Sequence, residues 1–120
     1  MFNLNDSLDY YLCSHSVDMR GGFDRLCGIV RESMGRDPLS GEVFVFINGS
    51  RSLIKLLHWE RGGLVLYHKR LERGRPSLPK LNRSTGSYQL SWCDLVLMVE
   101  GVSFHNIVRK KRYNFPHKTA

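Results

Sequence analysis

The apolar positions of this chain switch between strand-like and helix-like spacing. Residues 8–13 (LDYYLC) form a short run rich in aromatic side chains, which predicts a strand. SHSVD breaks that pattern. Phe23, Leu26, Cys27, Val30 and Met34 then recur at spacings of three and four, the single apolar stripe of an amphipathic helix. Asp18 is placed to cap this helix, because a carboxylate accepts from the free N–H groups of a first turn. Gly21 and Gly22 weaken that turn. Gly35 supplies a C-terminal stop, and Asp37-Pro38-Leu39-Ser40-Gly41 reads as a turn.

A strand meander follows. Val43–Ile47 is apolar at every position, and Leu53–Trp59 and Leu64–Lys69 carry apolar residues on both faces. Asn48-Gly49 predicts a tight hairpin, since both residues tolerate positive φ, and Arg61-Gly62-Gly63 predicts the second reversal. A sheet that is apolar on both sides must be covered on both sides. One helix cannot do this, so a second helix, the N-terminal strand or another subunit must contribute. Leu71–Leu81 is a basic connector containing prolines, and SYQL at 87–90 suggests a short strand. Ser91 opens a second helix, with Asp94 three positions on as an acidic variant of the capping box. Leu95, Met98 and Val99 form its inner face, and Gly101 ends it. The expected fold is a small α+β single domain over residues 1–104. It has a three-stranded antiparallel meander, a short N-terminal strand and two helices, followed by a basic tail over 105–120.

At 120 residues the chain has one domain's length, enough to bury a core without metals or disulfides. Its formal net charge of +7 is unevenly placed. Between Arg51 and Arg83 stand nine Lys or Arg and two acids, whereas the first fifty residues hold four Arg against seven Asp or Glu. The candidate phosphate-contacting set is Arg51, Lys55, Lys69, Arg70, Arg73 and Arg75, expected to gather into one electropositive ridge on the sheet and its exit loop. The competing reading is a solvated charged face, and the scarcity of acids favours binding. The tail Arg109, Lys110, Lys111 and Arg112, flanked by Tyr113 and Phe115, either tracks a nucleic-acid backbone or is an unstructured basic end. Trp59, Tyr67 and Trp92 are stacking platforms or core aromatics, and core is the commoner fate.

Other chemistries find little support. Cys13, Cys27 and Cys93 are odd in number and lack a CxxC pair, which points to buried thiols in a reducing cytoplasm. The opening MFNLNDSLDYY does not read as a secretory leader, and no apolar run has bilayer-spanning length. No two of the five histidines share metal-ligand spacing with a cysteine, although His58 and His68 have positions that let them face each other across the second hairpin. Asp18, Asp24, Glu42 and Glu60 are better explained by capping and turns than by a two-metal nuclease centre. No nucleophile elbow or phosphate-loop spacing is present. The expectation is a binding module without a cofactor, metal or catalytic residue.

Asp18-Met19-Arg20-Gly21-Gly22-Phe23-Asp24-Arg25-Leu26 resembles the DMRKGFDGL signature of the small accessory protein, often called TnpB, of insertion-sequence family sixty-six. The resemblance continues through Asp37–Gly41, Val43–Phe46, Ile54–Trp59 and Gly63–Gly74, so it spans roughly residues 8–101 in order. The likeness implies a bacterial mobile-element protein encoded beside a larger transposase, to which the catalysis belongs. Asp18, Met19, Arg20, Phe23, Asp24 and Trp59 are the motif residues carried over. Arg20 either braces the helix start or touches phosphate. Two positions depart from the pattern. Gly21 stands where the family usually has a basic residue, and the first hairpin turn, Asn48-Gly49-Ser50-Arg51, holds a single Arg. The implied partners are DNA and the transposase of the same element, with a homodimer as a further possibility and no membrane. An adaptor that docks on the transposase or on itself without touching DNA is the alternative.

Overall fold

A computed structural model describes residues 4–72 and 86–100. The elements run β1 (Tyr10–Cys13), α1 (Phe23–Glu32), β2 (Val43–Ile47), β3 (Leu53–Glu60), β4 (Gly63–Arg70), β5 (Ser87–Leu90) and α2 (Trp92–Val99). Five strands form one sheet in the order β4-β3-β2-β1-β5. The meander β2-β3-β4 is antiparallel, as its turn residues require, while β1 lies parallel to β2 and antiparallel to β5. Parallel pairing of β1 and β2 is possible because α1 carries the chain back between them. The N-terminal strand therefore sits inside the sheet, and the short run at 87–90 completes its far edge.

Strand alternation divides the core in two. Tyr10, Leu12, Val43, Val45, Ile47, Ile54 and Leu56 point to one face, where they meet Leu95, Met98 and Val99 of α2. Cys13, Phe44, Phe46 and Leu57 point to the other, where they meet Leu26, Cys27 and Val30 of α1, with Val17 and Met34. The two-sided apolar pattern is thus satisfied by a helix on each face. At about 25 cal/mol per Å² of apolar area removed from water, this double burial is the main force holding so small a sheet.

Local details correct several expectations. Asp18 does not cap α1. The helix begins later, with Gly22 at the N-cap position and no side-chain cap, because Asp18 is engaged by Arg20. Phe23 leaves the apolar stripe and is exposed, while Leu26, Cys27 and Val30 are buried as the spacing predicts. Gly35, at φ +66, ends this segment as expected. The first hairpin is longer than a two-residue Asn-Gly turn. Asn48 Oδ1 accepts from the backbone N–H groups of Ser52 and Leu53, and the left-handed residue is Arg51 at φ 60. The Asn48 side chain organises this loop, and Gly49 takes no positive φ. The second reversal follows the sequence reading, with positive φ at both Arg61 and Gly62, the pattern of a type I′ turn. Ser91 caps α2 by accepting from the Asp94 backbone N–H at 3.0 Å. Cys13 and Cys27 are buried, but Cys93 is exposed.

Candidate nucleic-acid interface

The register of the second hairpin locates the cations. Leu53 pairs with Arg70 and Ile54 with Lys69, and Arg51 lies just before β3 in the first hairpin loop. Arg51, Lys69 and Arg70 therefore stand at one end of the sheet. They do not share a face. Lys69 lies on the α2 side with Ile54, Leu56 and Tyr67, where a groove of about 360 Å³ also takes in Val99 and Glu100. Arg70 lies on the α1 side, with Leu53 and His68, since neighbours along a strand point opposite ways. The expected ridge on one face is thus replaced by a set that straddles an end of the sheet. Arg70 approaches Glu72 at 3.8 Å, but both side chains are about four-fifths exposed, so water screens the pair.

Lys55 must be withdrawn from the phosphate-contacting set. It is only 6% exposed, and its Nζ donates to the carbonyl oxygens of Met19 at 2.9 Å and Gly21 at 3.3 Å. A lysine at an inward strand position survives there because the loop supplies acceptors for its ammonium. Its job is to pin the Asp18–Phe23 loop to the sheet. A backbone hydrogen bond from Val17 N–H to Ile47 O at 2.9 Å holds the start of the same loop. The loop and the first hairpin together wall a cleft of about 530 Å³, lined by Asp18, Met19, Arg20, Asn48, Gly49 and Leu53 among others.

The loop's own charges are largely answered internally. Arg20 forks onto Asp18, with Nε–Oδ2 at 3.0 Å, Nη2–Oδ2 at 2.7 Å and its backbone N–H on Oδ1 at 2.9 Å. The Arg20 side chain, and then its backbone N–H, hold the Asp18 carboxyl down to about 2. Arg36 binds Glu42 at 3.1 Å and lies over the Tyr11 ring at 3.5 Å. The N-terminal carboxylates Asp18 and Glu42 thus engage N-terminal arginines. Arg25, in contrast, is exposed and makes no ion pair or hydrogen bond among the described residues. Its stem lies where a side chain at Gly21 would stand, the ideal Cβ of residue 21 falling 1.9 Å from Arg25 Cδ. Sequence reasoning passed over Arg25.

The remaining motif residues are scattered, with Phe23 and Asp24 exposed at the start of α1. Met19 packs against the α1-side core, Asp24 sits in the first turn of α1, and half-buried Trp59 lies opposite Leu64. Trp92 packs on Tyr10, ring centroids 5.6 Å apart. His58 and His68 do not face each other. His58 opposes Val65 and His68 opposes Lys55, so the two rings lie on opposite faces. His58 is buried between Glu60 Oε2 at 2.9 Å and Gly41 O at 3.2 Å, with Tyr67 Oη also donating to Glu60. No cluster of three or more metal-ligand side chains occurs among the described residues. Arg73, Arg75, Arg109, Lys110, Lys111 and Arg112 lie outside them, as does the 105–120 tail.

A family model described as IS66 Orf2 like protein matches residues 8–109, most of the chain. The chain belongs to the IS66 Orf2 like family. It is 32% identical over 96 residues to the uncharacterized protein y4hO of Sinorhizobium fredii (strain NBRC 101917 / NGR234), covering 80% of this chain and 82% of that one. It is 26% identical over 110 residues to the uncharacterized protein y4jC of the same organism, covering 92% of each. No solved structure matches it. Membership in this Orf2-like family associates the chain with insertion-sequence transposition, in an accessory place and outside the known catalysts. No helix among the described residues is long and apolar enough to cross a membrane.

Proposed function

We propose that this IS66 Orf2-like protein is a non-catalytic accessory factor that grips DNA phosphates with one end of its sheet during transposition. The observation that carries this reading is the placement of Arg51, Lys69 and Arg70 together at that end, fixed by the pairing of Leu53 with Arg70 and Ile54 with Lys69. Cations gathered at a narrow sheet end suit phosphates on the two sides of a duplex groove, and phosphate contacts position a protein without reading base sequence. Arg73 and Arg75 continue the chain from β4 and belong to the same set, and Arg109–Arg112 supplies further charge. The transposase of the same element is the protein partner in this reading, and the bond-breaking chemistry resides there.

The test is a titration of duplex DNA binding against salt. If Arg51, Lys69, Arg70, Arg73 and Arg75 each neutralise one phosphate, log K falls with log salt at a slope of about −4.5. Binding of unrelated duplexes should be similar in strength. A flat titration, or no binding at low salt, would remove the DNA reading and leave the adaptor that docks on the transposase.

A further inference from the structure

We infer that residues 102–108 of this chain seat in the groove on the α2 side of the sheet and so hold the basic run Arg109, Lys110, Lys111 and Arg112 beside Lys69. The seating is independent of the DNA-binding reading above, and the use of the held cations rests on that reading. Trp92, at the start of α2, packs on Tyr10, which lies level with Val43, His58 and Val65, towards the Arg61 turn. Val99 and Glu100, at the other end of the helix, line the groove with Ile54 and Lys69, towards Arg51. The helix therefore delivers the chain to the cationic end of the sheet. The groove, of about 360 Å³, has Ile54, Leu56 and Val99 as apolar walls, with half-buried Tyr67 and exposed Lys69 beside them. Such walls suit aliphatic and aromatic side chains and offer little to a phosphate. Residues 101–108 (GVSFHNIV) lie outside the described residues. They hold Val102, Phe104, Ile107 and Val108 with no Asp, Glu, Lys or Arg, and the four cations follow at once. The family match runs to residue 109, so it takes in this apolar run and ends as the basic one begins. An apolar run that starts next to a groove wall has only a short loop to close, and each Å² it removes from water contributes about 25 cal/mol. Cations anchored next to Lys69 then meet a duplex already held by Lys69 and Arg70 at a raised effective concentration.

The experiment places a nitroxide on the full-length protein through Lys69→Cys, with Cys93→Ser removing the exposed thiol and the buried Cys13 and Cys27 left in place. Broadening of amide NMR signals should be strong at Phe104 and Ile107 and absent at Lys118. Phe104→Ser with Ile107→Ser should abolish it, and Phe104→Leu with Ile107→Leu should keep it; thermal melts confirm folding of each. In unlabelled protein with Lys69 and Cys93 intact, the serine pair should weaken binding of a mixed-sequence duplex about tenfold, and the leucine pair should match wild type. Equal broadening at Phe104, Ile107 and Lys118, or broadening at residues 102–108 that survives the serine pair, would overturn the seating. Broadening that arises between nitroxide-bearing and isotope-labelled molecules mixed together would put a second copy's segment in the groove, and would overturn it too. If the segment is seated and no duplex binds at low salt, the DNA-binding reading fails and the seating stands. If the serine pair unseats the segment yet binds duplex as wild type does, the basic run is not held for DNA and that half of the inference is wrong.

Discussion

Lys55→Met separates a structural lysine from a DNA-contacting one. Met keeps most of the stem and removes the ammonium, so the apolar packing beside Phe46 across the β2–β3 pair is largely retained. The carbonyls of Met19 and Gly21, at 2.9 and 3.3 Å, then lose a charged donor. Hydrogen bonds to charged groups contribute about 1.5–3 kcal/mol each. Against this, Met does not have to be desolvated as an ammonium does, a cost of several kcal/mol in a buried site. The longer bond is the weaker one, and half-buried carbonyls regain some water once the loop loosens. The balance is a loss of about 2 kcal/mol, which lowers the melting temperature of a domain this size by roughly 8 °C. Scanning calorimetry or circular dichroism reads the shift. Amide exchange at Met19–Gly22 should quicken in the same variant, because the tether between loop and sheet is gone. A Lys55→Met protein that melts with wild type, with unchanged exchange in the loop, would refute the structural role.

Three further outcomes follow from local geometry. Asp18 should titrate near 2 by NMR and move up towards 3.8 in Arg20→Ala. Because its folded-state value is depressed, whatever the Arg20 fork contributes is present above the ordinary carboxylate range and is lost as pH falls towards 2; a midpoint near 3.8 in wild type would show that the fork is absent. Gly86→Ala should destabilise by about 2–4 kcal/mol, since φ is +74 and the new Cβ would fall 2.0 Å from the Ser33 carbonyl oxygen, whereas Gly28→Ala in open space on α1 should stabilise by about 0.5–1 kcal/mol; equal melts for the two would contradict this packing. Native protein should expose one fast-reacting thiol, Cys93, because Cys13 and Cys27 are buried and burial pushes both thiols up; three fast thiols would mean that the core is open.

Much of this fold was legible because period and punctuation agreed. The stripe Leu26, Cys27, Val30 and the cap Ser91 read correctly, as did the type I′ reversal at Arg61-Gly62, since each depends on residues close in sequence. The parallel place of β1 beside β2 was not legible, because strand order is decided by long-range pairing. Asp18 misled for a different reason. A carboxylate two residues from an arginine has a partner closer than a helix that starts five residues on, and the charged fork won. Asn48-Gly49 misled because the Asn48 side chain closes a longer loop through two backbone donors. Lys55 and Lys69-Arg70 show the limit of reading charge along a chain. Strand alternation sends Lys69 and Arg70 to opposite faces, and whether Lys55 is buried depends on a loop far away in sequence.

The placement of Arg51, Lys69 and Arg70 at one end of the sheet is tested most directly by comparing salt slopes for three proteins on one duplex. These are wild type, the triple variant Arg51→Ala, Lys69→Ala, Arg70→Ala, and Arg61→Ala, which alters the hairpin at the opposite end. The triple variant should lose about 2.7 from the slope, and Arg61→Ala should keep the wild-type value. Equal losses in the two variants, or an unchanged slope in the triple, would contradict a DNA grip at the Arg51 end.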